Sequence, residues 1–267
     1  MEAFERVARA AVEDAHALLL STWRKAKTIH HKGAVDIVTE TDHRVEALVI
    51  SHLRRAFPDH VIVAEESSAG AALTPPPRDA HVWYLDPLDG TTNFAHAYPH
   101  FAISLALGRG SDLVFGIVHD PLRDETFVAE RGRGARLNDR SIGVSATDSL
   151  GDALLATGFP YDRREHLDFY LGFAADFIAR AQGVRRNGSA ALDLCYVACG
   201  RLDGFWEWKL HPWDTAAGAL IVREASGVVS DFRGGAFDLF GEQTLASNAT
   251  LHAEMVRVLA TRLDAQA

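Results

Sequence analysis

The sequence predicts an α-β protein, and three observations support this class. Residues 2–25 and 164–181 carry apolar side chains at helical spacing, with charged residues on the opposite face. From Val82 to about Ser145 the chain is β-rich, with short apolar runs separated by turns that contain glycine. The second half alternates more evenly between strand-like and helical segments. With 267 residues, 48% of them apolar, the chain could form one large domain or two tightly joined lobes.

In the N-terminal third, the sequence predicts that the first helix is followed by a short strand, a second helix and a second strand. After the first helix we expect a loop at His30–Gly33 and a short strand at Val35–Val38. Either Thr41 or Asp42 is a suitable N-cap for a helix that runs to about Phe57, where Pro58 ends it. The apolar strand VIVA follows and leads into Glu65 and Glu66. Residues 68–80 form a proline-rich loop.

The remaining elements follow from similar local signals. In the β-rich region, the segments ISLAL, LVFGIV and TFVAE are predicted strands, and RGRGARLN is a hairpin-like connection. In the second half we expect strands at LLATGF, at Gly204–Trp208, and near residues 228–230 and 245–247; helices from about Ala190 to Cys199 (capped by Asn187 and stopped by Gly200), from Asp214 to about Ala225, and at the C-terminus.

The sequence changes near residues 146–150 from a β-rich pattern to alternating strands and helices, and this is the best candidate for a boundary between lobes. It divides residues 1–147, which would carry the metal site, from residues 148–267 within a single domain. No flexible linker marks this boundary.

Charge and cysteine content limit the classes of partner. The net charge of −9 argues against general nucleic-acid binding through a basic face. The two cysteines, Cys195 and Cys199, could be a zinc ligand pair, but we expect small buried residues because no second pair accompanies them. The N-terminal segment is interrupted by charges, so no signal peptide or membrane span is expected, and the sparse cysteines favour a cytoplasmic location.

The segment DPLDGTTN is the strongest candidate for a functional site. An apolar run from Val82 delivers Asp86 to the end of a buried strand, and Pro87 and Gly90 then turn the chain so that Asp89 lies beside Asp86. Two close carboxylates repel each other unless a cation lies between them. The sequence therefore predicts a site for a hard divalent cation, with the hydroxyls of Thr91 and Thr92 available to a water or a phosphate.

Four further acidic positions are ambiguous on sequence alone. Glu65 and Glu66 end a strand, where they could be a surface turn or could join Asp86 at a strand-end site. Asp214 could be a helix N-cap, a metal ligand, or both. Asp42 could be a cap or an outer ligand for another cation.

Basic and imidazole side chains carry weaker signals. The histidines at positions 30, 31, 96, 100 and 119 form no spaced pair on a helix face, so we predict incidental or structural roles for them. Arg185 and Arg186 precede the predicted helix near Ala190. They could attract an anion there or simply be surface arginines.

Long segments resemble the inositol monophosphatase family. WYLDPLDGTTNFAHAYPHFAISLAL and HPWDTAAGALIVREASG resemble its two signature motifs, and VDIVTETD, VIVAEES and GVRRNGSAALDLCYVACGRLDGFWE resemble its other landmarks. The resemblance covers nearly the whole chain and is closest to bacterial members. Ser226 departs from the usual glycine pair of the second motif, which we interpret as a detail of packing.

The resemblance implies a fold, a cofactor and a set of roles. The implied fold is a layered αβαβα sandwich with mixed sheets, usually a homodimer, and the implied cofactor is Mg²⁺, two or three ions per site. The implied metal ligands are Glu65, Asp86, Asp89, Asp214 and the backbone carbonyl of Leu88, with Asp42 near a third ion. Thr91 and Glu66 would orient or activate the attacking water, Gly90 and Thr91 would receive the phosphate with Thr92 nearby, and Arg185, Gly188, Ser189, Ala190 and Glu207 would contact the substrate.

The implied metal ligands and substrate contacts indicate an enzymatic function. The resemblance implies hydrolysis of a phosphate monoester by a metal-activated water, without a covalent enzyme intermediate. A phosphorylated polyol such as inositol monophosphate is the expected substrate, and lithium sensitivity is implied. Histidinol phosphate, fructose 1,6-bisphosphate and adenosine 3′,5′-bisphosphate remain alternatives, and so does a non-catalytic role as an accessory factor in ribosomal RNA transcription.

Overall fold

The computed structural model describes residues 2–25, 29–31, 37–68, 73–110 and 112–266. It contains helices α1 Glu2–Thr22, α2 Glu40–Ala56, α3 Thr91–Ala95, α4 Leu167–Ile178, α5 Ala190–Ala198, α6 Pro212–Glu224 and α7 His252–Gln266. The strands are β1 Ile29–His31, β2 Ile37–Thr39, β3 Val61–Ala64, β4 His81–Asp89, β5 Ala102–Arg109, β6 Asp112–Asp120, β7 Glu125–Glu130, β8 Ala135–Leu137, β9 Arg140–Ser141, β10 Leu154–Thr157, β11 Gly183–Arg185, β12 Gly204–Trp208, β13 Gly227–Ser230 and β14 Gln243–Asn248.

The strands form two large mixed sheets and one small pair. The first large sheet has seven strands in the order β3-β4-β5-β6-β7-β8-β9, with β3 parallel to β4 and the other neighbours antiparallel. The second has five strands in the order β11-β10-β12-β14-β13, with β10 parallel to both of its neighbours. Strands β1 and β2 pair separately and antiparallel.

The helices complete five layers. Helices α1 and α2 pack on one face of the seven-stranded sheet, where residues such as Val12 and Val49 meet Trp83. Helices α5 and α6 lie between the two sheets, because their apolar residues share one cluster with alternate residues of both. Helices α4 and α7 cover the outer face of the five-stranded sheet. The order α-β-α-β-α confirms the predicted sandwich with mixed sheets.

Most predicted elements are present, with shifted ends. The predicted strands ISLAL, LVFGIV and TFVAE correspond to β5, β6 and β7. The structure adds a short helix, α3, and the edge strand β11, neither of which the sequence predicted. Part of the predicted loop at His30–Gly33 is strand β1, and the predicted strand at Val35–Val38 is observed only from Ile37, since residues 32–36 lie outside the described part.

Three predicted helix caps were wrong by two or three residues. Helix α2 is capped by Thr39 and not by Thr41 or Asp42, α5 by Ser189 and not by Asn187, and α6 begins after His211 and not at Asp214. Gly200 follows α5 with φ of +72°, as predicted for the residue that stops a helix.

The first large sheet ends with β9 and the second begins with β10. The predicted boundary near residues 146–150 lies between these two strands. Because α5 and α6 pack on both sheets, their apolar residues join the two halves in one core. The division into lobes stays a prediction. None of the described helices combines the length and the apolar content that a membrane span requires.

Candidate active site

Four acidic residues from three parts of the chain line one cavity of about 360 Å³. Glu65 follows β3, Asp86 and Asp89 lie on β4, and Asp214 lies in the first turn of α6. Because β3 is parallel to β4 and Ala64 pairs with Leu85, Glu65 comes next to Asp86 at the same sheet edge. The backbone N–H of Glu65 donates to the carbonyl of Leu85 at 3.1 Å, which extends this pairing. The expectation that Glu65 and Asp86 lie side by side is confirmed.

A bulge in β4 turns Asp89 to the same side as Asp86. The prediction that the strand ends at Asp86 was wrong, because β4 continues to Asp89. Asp86 pairs with Ser104 and Asp89 pairs with Ala102. The chain therefore advances by three residues on β4 while it advances by only two on β5, which leaves one extra residue on β4. Residues three apart on a regular strand face opposite sides, and the one extra residue of a bulge cancels that alternation.

Helix α5 presents hydrogen-bond donors to Asp89. The Ser189 hydroxyl donates to Asp89 Oδ2 at 2.6 Å, and the backbone N–H of Ala191 donates to the same oxygen at 2.7 Å. Ser189 also caps α5 by accepting from the backbone N–H of Leu192. One carboxylate thus connects the seven-stranded sheet to the central helix layer.

Asp214 is fixed by the start of α6. Its Oδ2 accepts a hydrogen bond from the backbone N–H of His211 at 2.7 Å, as the third helical residue of a capping box. The Trp213 carbonyl accepts from the Ser104 hydroxyl at 3.1 Å, which joins this helix start to β5. Asp214 is therefore not the N-cap itself but supports the cap from the first turn, and it also lines the cavity; its role as a metal ligand stays a prediction.

The electrostatics of this cluster favour a bound cation. Burial raises the pKa of Asp86 well above its ordinary value, and the negative charges of its three acidic neighbours raise that pKa further. The pKa of Asp214 is likewise raised well above its ordinary value, first by burial and then by the negative charges of neighbouring acids. Burial also raises the pKa of Asp89, to about 6, despite its hydrogen bonds from Ser189 and Ala191. Carboxylates and the Leu88 backbone carbonyl are oxygen donors, which suit a hard ion such as Mg²⁺.

Thr91 lies between this cluster and a buried acid that does not line the cavity. The Thr91 hydroxyl is 2.8 Å from Asp42 Oδ1 and 3.0 Å from the Leu88 carbonyl oxygen. Asp42 is the third residue of α2 and accepts from the backbone N–H of Thr39 at 3.0 Å. Burial raises the pKa of Asp42. Glu66, whose backbone N–H donates to Glu46 Oε2 at 2.7 Å, is likewise not among the residues that line the cavity.

Gly90 allows two loops to meet beside the carboxylates. Its φ of +99° lies in the left-handed region, and a Cβ there would come within 3.1 Å of the His100 carbonyl and 3.2 Å of the Gly188 carbonyl. Asn93, which sequence reasoning missed, holds the same junction. Its side-chain N–H₂ donates to the His100 carbonyl at 2.7 Å and to the Asn187 carbonyl at 2.9 Å. Of the predicted substrate contacts, Gly90, Thr91, Thr92, Gly188, Ser189, Ala190 and Glu207 all line the cavity.

Arg186, and not the predicted Arg185, lines the cavity, together with Arg163. Arg185 ends β11 with an exposed side chain, and its guanidinium lies 3.4 Å from the carbonyl of Val184. Arg186, one residue further, lies over Gly188, and its positive charge partly offsets the effect of burial, which raises the pKa of Glu207 and of Asp89. The prediction of Arg185 as a contact is therefore not supported, because adjacent residues of an extended chain point to opposite sides.

Two further acids, the buried Asp193 and the half-buried Glu207, line the same cavity as the four clustered carboxylates. Burial raises the pKa of Glu207 on β12 and of Asp193 on α5 to about 8 each. Asn187 does not cap α5 but donates from its side chain to Asp193 Oδ1 at 2.7 Å. Sequence reasoning missed Asp193. The available signal was its position four residues after Ser189, one helical turn along α5 and on the same face.

The remaining sequence candidates lie elsewhere. Cys195 is buried and Cys199 is half-buried, both as free thiols, in agreement with the expectation of small buried residues. Of the histidines considered from sequence, none lines the cavity among the described residues. The side chain of His31 lies outside the described part.

The layered α-β fold and its carboxylate-lined cavity define a class of protein with a site suited to divalent cations. The chain belongs to the inositol monophosphatase family, whose sequence model matches residues 1–264.

Individual relatives agree with this assignment. An inositol-1-monophosphatase of Synechocystis is 45% identical over 261 residues, which cover 97% of this chain and 90% of the relative. Nus factor SuhB of Pseudomonas aeruginosa is 47% identical over 215 residues, which cover 78% of this chain and 76% of the relative. The solved structure of an inositol monophosphatase from Anabaena superimposes with a TM-score of 0.85 at 39% identity, covering 97% of this chain and 96% of that one.

Proposed function

We propose that the protein is a Mg²⁺-dependent phosphate monoester hydrolase that acts on inositol monophosphate. The observation that carries this proposal is the convergence of four carboxylates, two buried and two half-buried, and one backbone carbonyl around a single cavity, in a chain of this family. The relatives named inositol monophosphatase support the choice of substrate.

The residues that would hold the metal ions are Glu65, Asp86, Asp89, Asp214 and, through its carbonyl, Leu88. Bound Mg²⁺ would neutralise charge on the phosphoryl oxygens and the leaving oxygen and would make water nucleophilic. The hydrogen bonds from Ser189 and Ala191 fix the direction of one Asp89 oxygen, and that from His211 fixes one of Asp214.

Thr91 is the group best placed to orient the attacking water. If its hydroxyl donates to Asp42 Oδ1 at 2.8 Å, the Thr91 oxygen keeps lone pairs that can accept a hydrogen bond from water. Asp42 would thus act through Thr91, and it could also hold a more weakly bound third ion. Glu66 remains the predicted partner in activating the water.

The remaining residues that line the cavity would bind the substrate. The backbone amides of Gly90 and Thr91 would receive the phosphate, and Glu207 and Asp193 would accept hydrogen bonds from ring hydroxyls when ionised. Arg186 supplies a positive charge beside these acids and replaces Arg185 as the expected arginine contact.

The first test is the substitution Asp89→Asn. We expect kcat/KM for inositol monophosphate with Mg²⁺ to fall by at least about 100-fold, because the loss of one charge weakens the hold on the metal and the stabilisation of the transition state. Asp79→Asn is the matched control, since Asp79 is an exposed acid paired with Arg109 on the surface. Full Mg²⁺-dependent activity in Asp89→Asn would refute the assignment.

The choice of ester needs its own comparison. Steady-state kcat/KM would be measured for inositol monophosphate, histidinol phosphate, fructose 1,6-bisphosphate and adenosine 3′,5′-bisphosphate under one set of conditions. We expect inositol monophosphate to give the largest value. A larger value for another ester would reassign the substrate and leave the hydrolase proposal intact.

Finer properties follow from the same proposal. We propose two or three Mg²⁺ ions per site, inhibition by lithium, a homodimer and a cytoplasmic location. The family resemblance supports the first three, and the sparse cysteines support the fourth.

The similarity to a relative named Nus factor favours a second candidate, an accessory role in transcription. Co-purification of the tagged protein with RNA polymerase would support it, and Asp89→Asn should then still co-purify because binding would not need catalysis. A pull-down without polymerase or elongation factors would contradict this role.

A further inference from the structure

A second cluster of possible metal ligands lies outside the carboxylate cavity. It joins His16 on α1, His119 at the end of β6 and Asp124 in the turn between β6 and β7. One ligand atom from each residue lies within 4.8 Å of the other two. None of the three residues lines the cavity described above. Sequence reasoning gave His119 an incidental or structural role, because its partners come from distant segments.

The two imidazoles face each other directly. His16 Nδ1 lies 2.6 Å from His119 Nε2, so either a proton or a cation must lie between these nitrogens. On the other side of its ring, His119 Nδ1 lies 2.9 Å from the Thr126 hydroxyl oxygen. If Nδ1 donates to Thr126, the Nε2 lone pair is directed at His16, which is the arrangement that an outer hydrogen bond gives a metal-binding histidine.

The turn that carries Asp124 is braced by its neighbours. Asn138 donates from its side chain to the Asp124 carbonyl at 2.9 Å and accepts from the backbone N–H of Thr126 at 2.8 Å. The nearby acid Asp120 is committed to the same turn, because its Oδ1 accepts from the backbone N–H groups of Leu122 and Arg123 and its Oδ2 accepts from the Arg123 guanidinium. Asp124 is the exposed acid of the cluster, so an ion could enter from solvent.

We propose that His16, His119 and Asp124 form a binding site for a divalent transition-metal ion of the zinc type. Two imidazole nitrogens and one carboxylate oxygen favour Zn²⁺ over Mg²⁺, which prefers oxygen ligands only. Zinc–nitrogen bonds of about 2.0–2.1 Å in a tetrahedron place two nitrogens about 3.3 Å apart, so the rings must separate slightly. His16 is only half-buried and can move outward to allow this.

The state of His119 agrees with a ligand role. Burial lowers its pKa to about 4, with a further lowering by His16, so its ring is neutral at neutral pH and has a lone pair to offer. A bound ion would tie helix α1 to the β6–β7 hairpin and hold the outer helix layer on the seven-stranded sheet.

The test is a titration of the protein with Zn²⁺ in competition with a chromophoric chelator, with Mg²⁺ in excess to occupy the carboxylate cavity. We expect wild type to bind one more Zn²⁺ equivalent than His16→Gln. Asp124→Asn should bind this ion at least about tenfold more weakly, and Thr126→Val about 10- to 100-fold more weakly through loss of the outer hydrogen bond. Asn tolerates the positive φ of residue 124, which is +52°, so that variant preserves the turn.

A matched control and a spectroscopic measurement complete the design. His52→Gln removes a histidine that is paired with one acid, Asp14, on the surface between α2 and α1, and it should titrate as wild type does. Co²⁺ added under the same conditions should give absorption bands in wild type that are absent in His16→Gln. The proposal is overturned if His16→Gln and Asp124→Asn keep the wild-type stoichiometry and affinity, in which case the two rings simply share a proton.

Discussion

Glu207 can occupy its position only because residue 158 has no side chain. A Cβ on Gly158 would overlap both carboxylate oxygens of Glu207, so the turn after β10 and the acid on β12 are fitted to each other. The sequence marks Glu207 through the family resemblance but gives no sign that Gly158 matters. The two residues are 49 positions apart and meet because β10 and β12 are parallel neighbours.

Gly158→Ala should therefore act as a substrate-binding mutation. The added methyl displaces Glu207. Above its pKa of about 8, where Glu207 is ionised, the loss of one hydrogen bond to this charged group lowers kcat/KM for inositol monophosphate by about 10- to 100-fold, mainly through KM. Hydrolysis of p-nitrophenyl phosphate, which has no polyol hydroxyls, should change little. Gly151→Ala is the control, since a Cβ there meets Ser149 Oγ at an ordinary 3.5 Å. Equal losses for both substrates would contradict this role.

At the scale of whole elements, the helices were predicted more reliably than their caps. Aspartate is favoured both as an N-cap and in the first helical turn, so local sequence cannot separate the two positions. In α2 and α6 the aspartate is the third helical residue, where one oxygen accepts from the cap backbone. The other Asp42 oxygen lies 2.8 Å from the Thr91 hydroxyl, which shows how one residue serves both the helix and its surroundings.

The end of α6 carries a local strain that the sequence did not reveal. Ser226 follows the Ala225 C-cap with φ of +68°, the left-handed region that glycine favours, and its side chain is exposed. The interpretation of Ser226 as a detail of packing was therefore wrong. Its departure from the glycine of the family motif affects the backbone conformation of the helix end.

Ser226→Gly should stabilise the protein by about 0.5–1 kcal/mol, because it removes the steric cost of a side chain in this region. Urea denaturation at equilibrium would measure the free energy of unfolding. Ser226→Ala is the matched control, since it removes the hydroxyl but keeps the Cβ, and it should not stabilise. A glycine variant no more stable than the alanine variant would refute the strain.

At the scale of the whole molecule, the carboxylate cluster draws its residues from two packed layers. Glu65, Asp86 and Asp89 belong to the seven-stranded sheet and Asp214 to the central helices, so the fold brings together charges that repel one another. A folded chain that binds cations between these layers, when the unfolded chain does not, is stabilised in proportion to the logarithm of cation concentration.

Mg²⁺ should therefore raise the melting temperature of wild type. At a free Mg²⁺ concentration of about 100 times its dissociation constant, the free energy of unfolding increases by about 2.7 kcal/mol, and a chelator should reverse this increase. In Asp86→Asn the Mg²⁺ shift should be much smaller, whereas without Mg²⁺ this variant should be at least as stable as wild type, because one buried charge is gone. Asp79→Asn should behave as wild type in scanning calorimetry. An equal Mg²⁺ shift in Asp86→Asn would contradict the role of the cluster.

The sequence by itself determined the α-β class, most strands and helices, and the local motif around Asp86 and Asp89, because hydrophobic periodicity and turn chemistry act over a few residues. The tertiary structure decided which distant groups meet. It selected Arg186 over Arg185, added Asp193 and Asn93 to the site, and brought His16 to His119. Such encounters depend on strand register, on a single bulge and on which helix face is buried, and these are properties of the packed molecule that no short segment encodes.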